Sequence, residues 1–291
     1  GAFAREDFIY DDNGNRLAVE RRTTATTVAA TQTDIYTIAP NTNRLTSLTT
    51  PSGTHIFTHD GVGNQSVEQW PDGSVITVAY DGFARLTRYK VGLATQDMLY
   101  NGADERIRVE TTPAVGLADT RIYMYDLDHR IVGEYGGAGV SDVKAEYIWT
   151  LPEVGASGPT GGDDGTGGYL PLAIVTGATA DINWVHSHHN AKPILLTNAS
   201  GAVVAYTGHA VLGFPGQFAN AVGLAGAQYY YNRYRDYNDV TGRYIQADPI
   251  GLAGDANPYA YAMGNALRYS DPTGEMTRPR AQPPTSPGRP T

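Results

Sequence analysis

One short unit recurs along the first half of the chain, and it limits the folds available. Its clearest copy is Tyr10-Asp11-Asp12-Asn13-Gly14-Asn15-Arg16-Leu17. Tyr36 is followed by Asn43-Arg44-Leu45, and His59-Asp60-Gly61-Val62-Gly63-Asn64 keeps the turn without the Tyr. Tyr80-Asp81-Gly82-Phe83-Ala84-Arg85-Leu86, Tyr100-Asn101-Gly102-Ala103-Asp104-Glu105-Arg106-Ile107 and Tyr125-Asp126-Leu127-Asp128-His129-Arg130-Ile131 complete the series, starting 26, 23, 21, 20 and 25 residues apart. Each unit closes a strand with an aromatic residue, turns over an acidic or Gly segment, and opens the next strand with Leu or Ile. A single hairpin cannot bury its own apolar face, so such units must stack and share one sheet.

The intervening segments behave as strands. Ser74-Val75-Ile76-Thr77-Val78-Ala79-Tyr80 and Thr54-His55-Ile56-Phe57-Thr58-His59 alternate or are β-branched. Asn13-Gly14, Asp60-Gly61, Asp72-Gly73, Asp81-Gly82 and Asn101-Gly102 are expected to supply the positive φ of tight hairpin turns. The result is an antiparallel meander. Twenty Tyr against six Phe fit a pleated surface on which rings pack and hydroxyls stay wet. The absence of Cys removes thiol nucleophiles, disulfide scaffolds and cysteine metal sites. A net charge of -9 argues against nucleic-acid partners. No apolar run is long enough for a membrane helix. The chain starts at Gly1 without a signal-like stretch, as expected of a processed piece or a fragment.

Residues 1–150 are therefore assigned to the repeat sheet, 151–170 to a Gly-rich loop, 171–228 to further strands, 229–275 to a distinct core, and 276–291 to a disordered Pro-rich tail. Asp163 and Asp164 in the loop have the wrong spacing for a calcium site.

Residues 229–275 carry the most specific pattern. The segment contains Tyr229-Tyr230-Tyr231-Asn232-Arg233-Tyr234-Arg235-Asp236-Tyr237, Thr241-Gly242-Arg243-Tyr244, Asp248-Pro249-Ile250-Gly251-Leu252-Ala253-Gly254, Asn257-Pro258-Tyr259-Ala260-Tyr261 and Asp271-Pro272-Thr273-Gly274.

This pattern resembles the Rhs repeat-associated core, and the Tyr-Asp units resemble the YD repeat of the same family. Segments Trp184-Val185-His186-Ser187-His188-His189-Asn190 and Leu195-Leu196-Thr197-Asn198 are similar to the stretch that precedes that core. The resemblance covers most of residues 5–275. It implies an all-β fold in which YD-repeat hairpins spiral into a curved sheet or partial hollow shell, ending in the Rhs core, as in Tc-toxin C-type proteins. It also implies a toxin-delivery or intercellular-competition role. In many such proteins the core is an aspartyl autoprotease that cuts after a terminal Asp-Pro-x-Gly-Leu and frees a toxin held in the shell.

Carried over by position, the family's catalytic residues fall on Arg235, Asp236 and Asp248, and its cleavage junction on Glu275 and Met276. The chemistry is coherent: two adjacent carboxylates cannot both ionise easily, so one serves as base and the other as acid. The spacing from Asp236 to Asp248 lets a hairpin bring the two side by side. Arg235 would hold a carboxylate or polarise the scissile carbonyl. Two departures count against efficient cutting. Glu275 puts a carboxylate where an apolar side chain would seat, and Asn265-Ala266 replaces the usual Asn-Pro. The residues beyond the junction are too few for a folded toxin.

The remaining signals are weaker. His186 and His188 would share a face if both lay on one strand, with His189 beside them, but no metal site is assigned and no cofactor is expected. Asn64-Gln65-Ser66 and Asn198-Ala199-Ser200 fit the glycosylation pattern. The Tyr rows are explained by packing before sugar binding. Tyr10, Asp11, Tyr80, Asp81, Tyr125 and Asp126 mark repeat turns. Expected partners are further YD-repeat chain or other copies, with toxin cargo or delivery machinery, in a secreted or cell-surface bacterial protein. The competing expectation is a structural or adhesive assembly protein that cuts nothing.

Overall fold

The computed structural model describes residues 3–150, 170–177, 179–205, 209–219, 229–275 and 277–279. Nearly all the regular structure is strand, as the turn spacing predicts. A 17-stranded sheet runs from Arg5–Tyr10 to Val203–Val204. Every strand pairs antiparallel with its neighbours in sequence, from Arg5–Tyr10 against Arg16–Arg22 to Pro193–Thr197 against Val203–Val204. Val143–Trp149 pairs with Pro171–Thr176, so the meander continues across the Gly-rich segment. That segment (151–169), with Asp163 and Asp164, lies outside the described residues, as do Met276 and residues 280–291 of the tail.

The repeat unit is a hairpin turn with a bulge. In Asp81–Arg85 the Asp81 N–H donates to the Arg85 carbonyl at 3.0 Å, and the Ala84 N–H donates to the Asp81 carbonyl at 3.1 Å. Asp81 Oδ1 also accepts from the Phe83 and Arg85 N–H groups at 2.9 and 3.1 Å. Asp11, Asp60, Asn101, Asp126 and Asn198 do the same in their own turns. An Asx side chain suits the first turn position because its oxygen supplies a missing backbone acceptor; where Trp70 or His188 stands there, Asp72 or Asn190 caps the turn from its third position instead.

The glycines do not all work as the sequence suggested. Gly14 and Gly73 have positive φ (73° and 86°), but Gly61, Gly82 and Gly102 are not among the positive-φ residues. The left-handed position is the fourth of the turn, filled by Gly63, Ala84 (φ 61°), Asp104 (φ 61°) and His129 (φ 63°). A bulged turn places its left-handed residue later than a two-residue hairpin does. The strand register shifts between Ala79 and Tyr80 at this point.

The hydroxyls of the repeat Tyr80, Tyr100 and Tyr125 are also not left to water. Tyr80 donates to the Gln65 carbonyl at 2.6 Å, Tyr100 to Leu86 at 2.9 Å and Tyr125 to Arg106 at 2.7 Å. Trp149 Nε1 donates to Ile131 at 2.7 Å in the equivalent place. Each of these four strand-ending aromatic residues thus reaches the carbonyl that opens the strand before it. Phe would fill the same space without that bond, which accounts for Tyr at these three positions. Tyr10, on the edge strand, is 40% exposed.

One face of the sheet is buried, with Ile76, Val78, Leu86, Tyr89, Val109 and Tyr123 in its core. The cover is the chain's own C-terminal segment. Strands Val211–Leu212, Phe218–Ala219, Tyr229–Asn232, Arg235–Asn238 and Arg243–Tyr244 form a second, 5-stranded sheet. Phe218 packs on Tyr123 with ring centroids 5.2 Å apart, and Tyr229 on Tyr89 at the same distance. A flat sheet of this width would span about 80 Å. Contacts from Asn15 (to Asn257) through Gly63 (to Tyr259) to Glu134 (to Ala210) reach one compact segment, so the sheet curls around it. The sheet remains open, with Arg5–Tyr10 and Val203–Val204 at its edges.

Replacing Tyr125 by Phe is expected to cost about 1–2 kcal/mol, because the Arg106 carbonyl loses its donor. Ala84→Gly is expected to gain up to about 1 kcal/mol by relieving left-handed strain. Urea unfolding of each variant measures both.

Candidate functional site

The core hairpin fixes where each candidate residue points. Tyr229–Asn232 pairs with Arg235–Asn238, and successive side chains on a strand face opposite ways. Asp236 consequently points at the large sheet, and Arg235 away from it.

Asp236 Oδ1 lies 2.6 Å from Arg106 Nη2, and both side chains are 2% exposed. Gln246 Nε2 donates to Asp236 Oδ2 at 2.9 Å, and the Asp236 N–H donates to Gln246 Oε1 at 2.7 Å. The Tyr231 ring stacks against the Arg106 guanidinium, 4.2 Å from its centroid. Burial works against the Arg106 cation, but Asp236, together with Tyr100 and Tyr231, more than offsets this and raises its pKa.

Arg235 gathers the other groups. Its Nη2 lies 3.0 Å from Asp248 Oδ2 and 3.1 Å from Asp271 Oδ2. Its Nη1 donates to the Pro258 carbonyl at 2.9 Å, and its Nε donates to the Gly274 carbonyl. Asp271 is surrounded by donors: the Tyr244 hydroxyl at 2.9 Å, and the Gly274 and Glu275 N–H groups at 2.8 and 3.1 Å. Residues 271–275 thereby repeat the Asx turn of the sheet, with Gly274 at φ 78°.

Asp248 accepts from the Ile250 N–H at 3.0 Å. Burial raises its pKa, and Arg235 opposes that rise. Glu275 is half-buried and is raised as well, first by burial and then by the nearby Asp248 charge. A methyl group at Gly254 would lie 2.7 Å from Asp248 Oδ2 and 3.2 Å from the Glu275 carbonyl oxygen. Only a residue without a side chain lets these two oxygens converge there.

The structure therefore brings Arg235, Asp248 and Glu275 together and turns Asp236 onto Arg106. Met276 lies outside the described residues. Asp271 joins the cluster, although the sequence marks it only as part of the terminal Asp-Pro-Thr-Gly motif; that signal is present, but not its pairing with Arg235. His186 lies on the strand Asp181–Ser187 and meets Thr197 Oγ1 at 2.9 Å, whereas His188 opens the following turn. The two do not share a strand face. Asn64 is 3% exposed and bonded to Asp60 and Ala247, which leaves no room for a glycan.

No family model matches the chain. Among curated proteins it is similar to toxin protein Tse5 of Pseudomonas aeruginosa, at 56% identity over 45 residues (16% of this chain, 3% of that protein). It is also similar to double-stranded DNA deaminase toxin A of Burkholderia cenocepacia, at 26% identity over 253 residues (70% of this chain, 17% of that protein). The chain thus spans a small part of either relative. Among solved structures, the complex TcdB2-TccC3-Cdc42 matches 93% of this chain and 17% of that chain, with 13% identity and a TM-score of 0.44.

Asp236→Asn removes the carboxylate opposite a buried guanidinium and is expected to cost about 3–5 kcal/mol in urea unfolding. The acids raised on folding, Asp248 and Glu275, bind protons more tightly in the native state than in the unfolded one. Stability is therefore expected to fall as pH rises from the ordinary carboxylate range through their raised values. Glu275→Leu should flatten that fall, measured as Tm against pH.

Proposed function

We propose that this chain is part of the shell of an Rhs-type toxin-delivery protein, and that its core cuts the chain once, between Glu275 and Met276. The observation that carries this reading is the convergence of Asp248 and the Glu275 carbonyl oxygen at Gly254, beside Arg235. The similarity to two bacterial toxins supports the delivery role.

The chemistry needs only the groups assembled there. The Asp248 carboxylate takes a proton from water, and the resulting oxygen attacks the Glu275 carbonyl carbon. Asp248 then returns the proton to the Met276 nitrogen as the C–N bond breaks, leaving a Glu275 carboxylate and a new amino terminus. A raised pKa makes Asp248 a stronger base than an ordinary carboxylate. Asp271 and Arg235 hold residues 274–275 in place, and Asp236 anchors the strand that carries Arg235.

The non-cleaving scaffold is the second reading, and Glu275 favours it. A carboxylate beside Asp248 disfavours the ionised base on which the reaction depends.

Intact-mass analysis of the full chain distinguishes the two. A product ending at Glu275 is expected, with Asp248→Asn slowing its formation by about 10²–10⁴-fold. Gly254→Ala should block it by wedging the two oxygens apart, and Glu275→Leu should speed it. A chain that stays whole in wild type and in Glu275→Leu would leave the scaffold reading standing.

A further inference from the structure

Most buried charges in this protein have a partner of opposite sign, as Arg106 has Asp236 and Arg121 has Glu134. The seam between the first repeat turn and the core loop 241–243 is built differently. Arg16 leaves that turn with its guanidinium carbon 5.0 Å from the Phe8 ring centroid and 5.7 Å from that of Tyr36. Burial works against its cation, and the groups that favour it are the Tyr36 and Tyr10 hydroxyls rather than a carboxylate. Arg243 arrives from the core, lies 4.7 Å from the Tyr259 ring centroid, and donates to the Asn43 carbonyl. Among the described residues neither arginine makes an ion pair. Burial lowers the Arg243 pKa to about 10, with Arg16 adding to the effect, and Tyr259 and Asp11 only partly oppose it. The Asp11 oxygens are already taken by Asn13 and Asn15.

Both arginines line one cavity of about 30 Å³. Two further donors line it without a partner of their own: Arg16 Nε and the hydroxyl of Thr241, a residue only 3% exposed. Leaving buried donors unbonded is costly, and two adjacent guanidinium groups repel. A cavity of this size holds a few atoms the size of water oxygens. The group that suits it carries negative charge and two or more acceptor oxygens.

We propose that Arg16, Thr241 and Arg243 form a binding site for a small oxyanion, either a carboxylate or the outer oxygens of a phosphate. The ligand bridges the first repeat turn and the core loop, and so clamps the core to the sheet.

The test is thermal unfolding of the full chain at constant ionic strength in chloride, acetate or phosphate, with calorimetric titration of acetate and phosphate. Saturating oxyanion is expected to raise Tm by about 5 °C over chloride. Thr241→Val keeps the shape and removes the hydroxyl, and Arg16→Met removes the guanidinium. Each should lose most of that rise and weaken binding by about 10-fold or more, the loss of a charge-assisted hydrogen bond. A response to acetate alone identifies a carboxylate ligand, and a response to phosphate alone a phosphoryl group. Equal Tm in all three salts, or the same rise in both variants as in wild type, would overturn the proposal.

Discussion

A single-layer sheet buries one face only if something else covers it, and the rest of this structure follows from how that need is met. Here the cover comes from the same chain. Val109, Tyr123 and Ile131 on the sheet pack with Leu212, Phe218 and Tyr231 from the segment that follows it. Apolar contact alone would tolerate sliding, because a meander presents nearly the same surface at every repeat. Polar contacts fix the position. Glu68 accepts from the Tyr229 hydroxyl at 2.8 Å, Glu134 from the Ala210 N–H at 2.6 Å, and Asp236 is fixed to Arg106. Each of these carboxylates is almost fully buried, so a shift by one repeat would unpair Asp236 from Arg106 and take the core donors from Glu68 and Glu134.

What was legible in the sequence was local. The Tyr and Asx positions that recur with the turns set the strand order, since turn chemistry acts within a few residues. The conformation inside the turn was less legible. Asp81-Gly82 resembles a two-residue hairpin turn, yet the left-handed residue is Ala84, because the neighbouring strand register calls for a bulge. The candidate site was legible only in part. Arg235 and Asp236 are adjacent, but strand alternation sends them to opposite faces, one to Asp248 and Asp271 and the other to Arg106. Arg106 lies far away in sequence; its repeat carries Asn101 and Glu105 where the neighbouring one pairs Asp81 with Arg85, but nothing local names Asp236 as its partner.

The depth of the cluster restricts the kind of chemistry it suits. Arg235 is 2% exposed and Asp271 1%, so a diffusing peptide has no route to them. A segment of the same chain needs none, because it is placed during folding by the Asx turn at Asp271 and by the Arg235 contact to Gly274. For the self-cleavage proposed above, folding supplies the positioning that a protease acting on a separate chain draws from substrate binding. A site of this kind has no need to release product and turn over again. It can therefore use carboxylates held mostly by structural contacts, and its electrostatics need only be right once.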